Sequence, residues 1–148
     1  MTDWNKQIYF EDVSIGTKIP TISIPLDLNR MVMEAGANRD FSSIHHNSIV
    51  AKATGAPDAY MNSFFIMGLI ERMLREWMGL HGKIKKIGPF RMVMFNCVGD
   101  LVTYKGEVVD KSEVDGEGIV SLDISSQTAK GTTVTGKAIV ILPQRERT

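Results

Sequence analysis

Residues 62–78 restrict the fold more than any other stretch, because the first half of this helical pattern is apolar on nearly every side. Asn62 is suited to cap the helix at its start, and Gly79 is suited to end it. About 17 residues predict a helix roughly 25 Å long. A helix that is apolar all round needs other elements to cover it, so we expect it to lie inside the fold. Its apolar residues are Phe64, Phe65, Ile66, Met67, Leu69, Ile70, Met73, Leu74 and Trp77.

The residues that could cover this helix are typical of strands, since they are rich in Val, Ile, Thr and aromatic side chains. One short strand precedes the helix, and four follow it with turns at 99–100, 115–116 and 130–131. Sequential strands with tight links predict an antiparallel meander. We therefore expect an α+β fold, a curved antiparallel sheet of about five strands wrapped around the helix, in one domain over residues 1–148. The predicted strands are 18–24, 84–96, 100–110, 118–128 and 132–142.

Two shorter helices are predicted between the first strand and the long helix. Asp27 is suited to cap the first of them, which we expect to end at Gly36. Ser48 is suited to cap the second, which we expect to end at Gly55. The residues between these helices form a loop.

The charge balance argues against several classes of partner. Lys and Arg together number 17, as do Asp and Glu, so the formal net charge is zero. Binding to nucleic acid or to a membrane surface usually needs a basic face, so neither is predicted. A net charge near zero gives little electrostatic repulsion between copies of the chain, so the composition is compatible with an oligomer. Cys97 is the single cysteine, which excludes an internal disulfide framework and a cysteine-rich metal site.

No targeting or membrane-spanning segment is evident. Residues 1–6 are polar and lack the apolar core of a signal peptide. No run approaches the roughly 18 apolar residues that span a bilayer. We therefore expect a cytoplasmic protein.

The loop at 39–47 contains the strongest chemical signal, because it places an acid and two imidazoles between apolar segments. Asp40 and His45 can pair and move protons near neutral pH. Alternatively, Asp40 caps the backbone amides of Ser42 or Ser43 beside an exposed histidine. A metal held by Asp40, His45 and His46 lacks a fourth ligand, and no metal site is predicted.

The start of the long helix is the second candidate, because free N–H groups at a helix N-terminus suit an oxyanion. Asn62 would cap the helix, and the N–H of Ser63 would face the oxyanion. Glu71, in the middle of the helix, could act as a carboxylate base in another chemistry, or simply pair with Arg75 at i+4. A basic cluster could meet the phosphates of coenzyme A or be ordinary solvated lysines. It comprises Lys83, Lys85, Lys86 and Arg91.

Three segments together resemble the MaoC-like hydratase/dehydratase family: 40–47, 53–57, and Asn62-Ser63 opening an apolar helix. The resemblance covers roughly residues 8–142. It implies a hotdog fold and the hydration of trans-2-enoyl-CoA to (R)-3-hydroxyacyl-CoA, or the reverse dehydration. The variant of the pattern is most similar to the small subunits of steroid side-chain enoyl-CoA hydratases, which implies a bulky acyl group.

The resemblance also implies residue roles. Asp40 and His45 match the catalytic pair of the family. Ser42 stands where the family has Asn and would bind water or substrate. Asn62 and Ser63 replace a His-Gly pair, so the N–H of Ser63 would be the oxyanion donor. Ser43 replaces a Pro, and Asn47 replaces an Asp.

The resemblance implies no cofactor and no metal, with a coenzyme A thioester as the substrate. The partner would be a second copy of the chain or another MaoC-like subunit. Two alternatives remain open at this point. One is a hotdog acyl-CoA thioesterase using a helix carboxylate such as Glu71, and the other is a subunit that is active only with a second MaoC-like chain.

Overall fold

The fold, described by a computed structural model, is defined for residues 6–145. One strand, β1, precedes three helices, and four strands follow them. Short 3₁₀ turns occur at Phe10–Asp12 and Ser43–His45. The elements are β1 (Lys18–Pro25), α1 (Leu28–Asn38), α2 (Ser48–Ala53), α3 (Ser63–Met78), β2 (Lys83–Met92), β3 (Leu101–Val114), β4 (Glu117–Thr128) and β5 (Gly131–Leu142).

The five strands form one antiparallel sheet in the order β1-β3-β4-β5-β2. The predicted meander is confirmed for β3, β4 and β5, but it is wrong for β2, which pairs with β5. The strand predicted at 84–96 ends at Met92, and the residues after it cross the sheet rather than turn tightly. Backbone bonds trace this crossing: Val93 N–H donates to Thr133, and Gly99 N–H donates to Leu26 at the opposite edge. The N···O distances of these two hydrogen bonds are 2.8 and 2.7 Å, respectively.

Helix α3 packs its buried side chains against the inner face of the sheet. It contacts both edge strands, β1 and β2, as well as β3. The central strands alternate buried and exposed residues, which is the pattern of a sheet with one covered face. The α+β arrangement of a five-stranded sheet around a long helix is therefore confirmed. The helix buries Ile66, Leu69, Ile70, Met73, Leu74, Trp77 and Met78.

The apolar start of α3 is not buried on all sides, so that part of the expectation is wrong. Phe64 remains 62% exposed and Met67 39% exposed, because the sheet of this chain covers only one side of the helix. One turn further along the same side, Glu71 and Arg75 form an ion pair. The uncovered side is thus apolar at the start of the helix and charged near its end.

The helix ends correct two predictions. Asp27 caps α1 as expected, by accepting a bond from the N–H of Arg30. The helix continues through Gly36, however, and reverses at Arg39, which has a left-handed φ of 56°. The cap of α2 is Asn47 rather than Ser48, because the Asn47 side chain accepts bonds from the first helical N–H groups.

No helix within residues 6–145 is both long and apolar enough to cross a membrane.

Candidate functional site

Three elements meet at one point and bring the predicted residues together. The left-handed Arg39 ends α1 and turns the chain back toward the helix end, where the N–H of Asp40 donates to the carbonyl of Ala35 at 2.9 Å. The 3₁₀ turn that follows places His45 at its last position. The N-terminus of α3 reaches the same point, since its cap, Asn62, touches Asp40.

Asp40 and His45 form the predicted pair. Nε2 of His45 lies 3.3 Å from Oδ2 of Asp40. His45 is only 8% exposed, while Asp40 remains partly open to solvent. The other ring nitrogen of His45, Nδ1, lies 2.8 Å from the backbone oxygen of Tyr60. A carbonyl oxygen only accepts hydrogen bonds, so Nδ1 carries a proton.

This assignment determines what the pair can do. With Nδ1 protonated, a neutral His45 presents a lone pair at Nε2, and this lone pair faces the carboxylate of Asp40. Two acceptors that face each other need a proton between them or a molecule that donates to both. A water molecule can donate one hydrogen to each, which leaves its oxygen lone pairs free to attack a substrate.

Asn62 links this pair to α3. Its Oδ1 accepts the N–H of Phe65 at 2.8 Å, which is the expected helix cap. Its Nδ2 donates to Oδ2 of Asp40 at 3.0 Å. The amide orientation follows from these two partners, since one must donate and the other must accept. Asn62 is 4% exposed, so it holds the carboxylate of Asp40 in a fixed position relative to the helix.

The N–H groups of Ser63 and Phe64 have no hydrogen-bond partner among the described residues. They lie in the first turn of α3, where the helix dipole adds partial positive charge. The Ser63 side chain is exposed. Free donors beside an acid–base pair are the arrangement that stabilises a developing oxyanion.

Ser42 contributes through its backbone. Its N–H lies 3.4 Å from Oδ1 of Asp40, a long contact, and its side chain is exposed. Asp40 therefore combines both roles considered from the sequence, since it contacts His45 and also accepts from a following amide.

Glu34 is a site residue that the sequence did not indicate. It lies on α1, partly buried, and its carboxylate accepts a bond from Asn38 one helical turn later. Burial, and then the negative charge of Asp40, raise the pKa of the Glu34 carboxyl above its usual range. His45 and a hydrogen bond with Asn62 oppose this rise in pKa.

Glu34→Gln is expected to stabilise the protein slightly at neutral pH and to have little effect in acid. A carboxyl whose pKa is raised on folding stabilises the folded state below its unfolded pKa, and this stability is lost as the pH rises through the folded pKa. Glutamine does not titrate, so the difference in Tm should be larger at about pH 7 than at about pH 4. The control for both melts is Glu117→Gln, which removes an exposed carboxylate outside the site. Equal shifts in Tm at the two pH values would contradict a raised pKa of the Glu34 carboxyl in the folded protein.

The other candidates stand apart from this site. Glu71 accepts a bond from Arg75 at 2.8 Å, as its simpler interpretation predicted. Nδ1 of His46 is buried without a partner among the described residues. Burial raises the pKa of the Cys97 thiol, which disfavours the reactive thiolate. The basic cluster of Lys83, Lys85, Lys86 and Arg91 is exposed along the edge strand β2.

Across residues 6–145, no three or more His, Cys, Asp and Glu side chains are grouped so that they could hold a metal ion.

Comparison with known proteins gives a consistent result. No family model matches the sequence. The chain is 30% identical over 132 residues to the 3-oxo-4,17-pregnadiene-20-carboxyl-CoA hydratase beta subunit of Mycobacterium tuberculosis. The match covers 89% of this chain and 97% of that protein.

Solved structures agree on the fold. A chain of the ChsH1–ChsH2 complex from Mycobacterium tuberculosis superposes with a TM-score of 0.78 at 28% identity, covering 87% of this chain and 98% of that one. An (R)-hydratase from A. caviae involved in PHA biosynthesis gives 0.78 at 22% identity, covering 90% and 99%. A MaoC-like dehydratase from Rhodospirillum rubrum gives 0.82 at 15% identity, covering 95% and 99%. The predicted hotdog fold is confirmed.

Proposed function

This chain belongs to the MaoC-like family of enoyl-CoA hydratases and dehydratases, and from that membership we propose that Asp40 and His45 add water to a trans-2-enoyl-CoA thioester. The same residues would catalyse the reverse dehydration. The observation that carries the proposal is the contact of His45 Nε2 with Asp40, with Nδ1 fixed by the carbonyl of Tyr60. This geometry leaves two proton acceptors side by side at the N-terminus of α3.

The first step is attack by water on C3 of the enoyl group. The water donates one hydrogen to Asp40 and one to Nε2 of His45, and its oxygen forms the new bond to C3. One of the two residues takes a proton as this bond forms. Asn62 holds the carboxylate of Asp40 in place by its hydrogen bond of 3.0 Å.

Negative charge then moves through the C2–C3 double bond to the thioester oxygen. The free N–H groups of Ser63 and Phe64 would bind this oxygen at the start of α3. Because they belong to the backbone of a capped helix, they need no rearrangement as the charge develops. The N–H of Ser42 lies near Asp40, and the exposed hydroxyl of Ser42 can contact water or substrate.

The second step returns the proton to C2. The proton taken from water passes from the Asp40–His45 pair to the enolate carbon, which leaves hydroxyl on C3 and hydrogen on C2. One water molecule is consumed, and both residues regain their starting protonation states. The reaction uses no cofactor beyond the coenzyme A of its own substrate.

The substrate we propose is an acyl-CoA with a bulky, steroid-derived acyl group. Support comes from the Mycobacterium tuberculosis relative, whose name describes a steroid carboxyl-CoA hydratase. Large exposed apolar side chains also lie near the site, as a bulky apolar substrate requires. Phe41 directly follows Asp40 in the chain, and Met94 and Phe95 lie beside Tyr60.

The partner we propose is a second MaoC-like chain, which forms either a homodimer or a heteromer. The relative is a beta subunit, and one similar structure is a two-protein complex. The uncovered apolar side of α3, defined by Phe64 and Met67, is the surface such a chain would cover. A heteromer would make the isolated chain inactive.

A screen of enoyl-CoA substrates tests the proposal. The chain should be assayed alone and with candidate MaoC-like partner subunits, following the loss of enoyl-thioester absorbance with crotonyl-, octenoyl- and steroid enoyl-CoA. We expect turnover of the bulky substrate and formation of its 3-hydroxy product. Release of free coenzyme A without hydration would indicate the thioesterase alternative, in which Glu71 would first have to leave its ion pair with Arg75. Absence of turnover in every assembly would contradict the proposal.

A further inference from the structure

Residues Met92–Asn96, which begin at the last residue of β2, line an apolar cavity of about 150 Å³ beside the site. Tyr60 connects the two places. Its backbone oxygen fixes His45, and its ring lies 5.2 Å from the His45 ring and 4.6 Å from the Phe95 ring, centroid to centroid. The cavity is lined by Tyr60, Met61, Ile66, Met92, Val93, Met94, Phe95 and Asn96.

Asn96 is the residue in this wall that apolar packing does not explain. It is 3% exposed, and neither Nδ2 nor Oδ1 has a partner among the described residues. Its backbone oxygen is used separately, as the acceptor for the N–H of Met61 at 2.9 Å. A buried amide without partners is destabilising, and native proteins retain few of them. The fold therefore keeps a donor and an acceptor here that nothing within the described chain satisfies.

A hydroxyl group would satisfy both amide atoms at once, because it can donate to Oδ1 and accept from Nδ2. The terminal torsion of an asparagine side chain is soft, so the amide can turn toward an arriving group. An apolar cavity of this volume has room for a benzene-sized group. The cavity lies next to the site at which the thioester would react, on the far side of Tyr60.

We propose that this cavity binds a ring-sized apolar part of the acyl group that carries one hydroxyl, and that Asn96 is the residue that recognises this hydroxyl. The inference rests on the proposed function and specifies its substrate class more closely. Apolar contacts supply affinity for the ring, and the amide supplies selectivity. An acyl group without the hydroxyl would leave the amide unpaired and would be disfavoured.

Matched substrates test this assignment. We would compare trans-2-enoyl-CoA thioesters that end in a six-membered ring, with and without one ring hydroxyl, placing the hydroxyl at each position in turn. In the active assembly, kcat/KM should favour one hydroxylated isomer by about tenfold or more. Asn96→Leu, close in volume, should remove this preference, so that kcat/KM becomes similar for the two members of each pair. Its Tm should not fall, because the substitution removes two unpaired polar atoms.

Phe95→Leu is the matched control, since it alters the same cavity without touching a hydrogen-bonding group. It should change kcat/KM for both members of each pair by the same factor. A wild-type enzyme without preference for any hydroxylated isomer would overturn the assignment. So would a preference that survives Asn96→Leu, or a marked fall in Tm in this variant, which would show that an enclosed water already satisfies the amide.

Binding measurements separate this inference from the proposed reaction. Saturated acyl-CoA analogues with and without the ring hydroxyl can be titrated calorimetrically, whether or not any hydration is observed. The ratio of their Kd values should again be about tenfold in the wild type and about one in Asn96→Leu. Hydration without this ratio would overturn the role of Asn96 alone, and the ratio without hydration would overturn the proposed reaction alone.

Discussion

Asp40→Asn is expected to lower kcat for hydration by about 10²–10⁴-fold, the range that a positioned acid–base group contributes. The substitution removes the carboxylate that accepts a hydrogen from water, but it keeps the shape of the side chain. The new amide oxygen can still accept from Nδ2 of Asn62, which donates to Oδ2 of Asp40 at 3.0 Å in the wild type. The loss should therefore appear in kcat rather than in folding. It should be measured by single-turnover hydration of a saturating enoyl-CoA, with Tm recorded for each variant.

The control for this experiment is Asp123→Asn. Asp123 lies in β4, away from the Asp40–His45 pair, and forms an ion pair with Lys137 at 3.1 Å. Surface ion pairs contribute at most about 1 kcal/mol, so neither kcat nor Tm should change much. A hydration rate in Asp40→Asn close to that of the wild type would contradict the assignment. Retained release of coenzyme A would point to a thioesterase.

A double variant tests whether Asp40 and His45 act as one unit. If both residues hold the same water, removing either one disrupts its placement, and removing the second adds little. Asp40→Asn combined with His45→Gln should thus lower kcat by much less than the product of the two single losses. Multiplicative losses would mean that the two residues act in separate steps.

The site residues that could be predicted from the sequence are those whose signal lies within one short segment. Asp40 and His45 lie five positions apart in one loop, and Asn62 has the residue type and position of a helix cap. The contact between Asn62 and Asp40 could not be read locally, because it spans 22 positions and depends on how α3 meets the end of α1.

Tyr60 and Glu34 were missed for physical reasons. Tyr60 fixes the His45 tautomer through a backbone oxygen, and every residue has one, so its side chain gave no signal. Glu34 has the appearance of an ordinary polar position on α1. Its proximity to Asp40 arises from the left-handed Arg39, which returns the chain toward the helix.

The position of β2 was missed because turn residues predict a change of direction and not a partner. The glycine at 99 does turn the chain, with a φ of 93°. The strands on either side of it nevertheless lie at opposite sides of the sheet, since residues 93–100 bond first to Thr133 and then to Leu26. Long-range pairing is set by how all the strands fit around α3, which local sequence does not contain.

Met67→Glu is expected to prevent assembly and, with it, most of the activity. Met67 is 39% exposed on the uncovered side of α3, one turn after Phe64, and its backbone takes no part in the proposed oxyanion site. Glutamate has a similar length and a good helix propensity, so α3 should still form. If a second MaoC-like chain covers this side, an unpaired carboxylate buried there would cost about 3 kcal/mol, which weakens association roughly a hundredfold.

The measurement is the native mass of the assembly over a concentration series, with activity recorded on the same samples. Leu80→Glu is the matched control, because Leu80 is 70% exposed just beyond the opposite end of α3 and undergoes the same change in charge. We expect Leu80→Glu to keep the wild-type mass and rate, and Met67→Glu to shift the midpoint of assembly to higher concentration. Activity should recover at concentrations where the variant reassembles, since the Asp40–His45 pair is intact. A monomeric Met67→Glu variant with full activity would show that one chain completes the site by itself, and an unchanged mass would place the partner on another face.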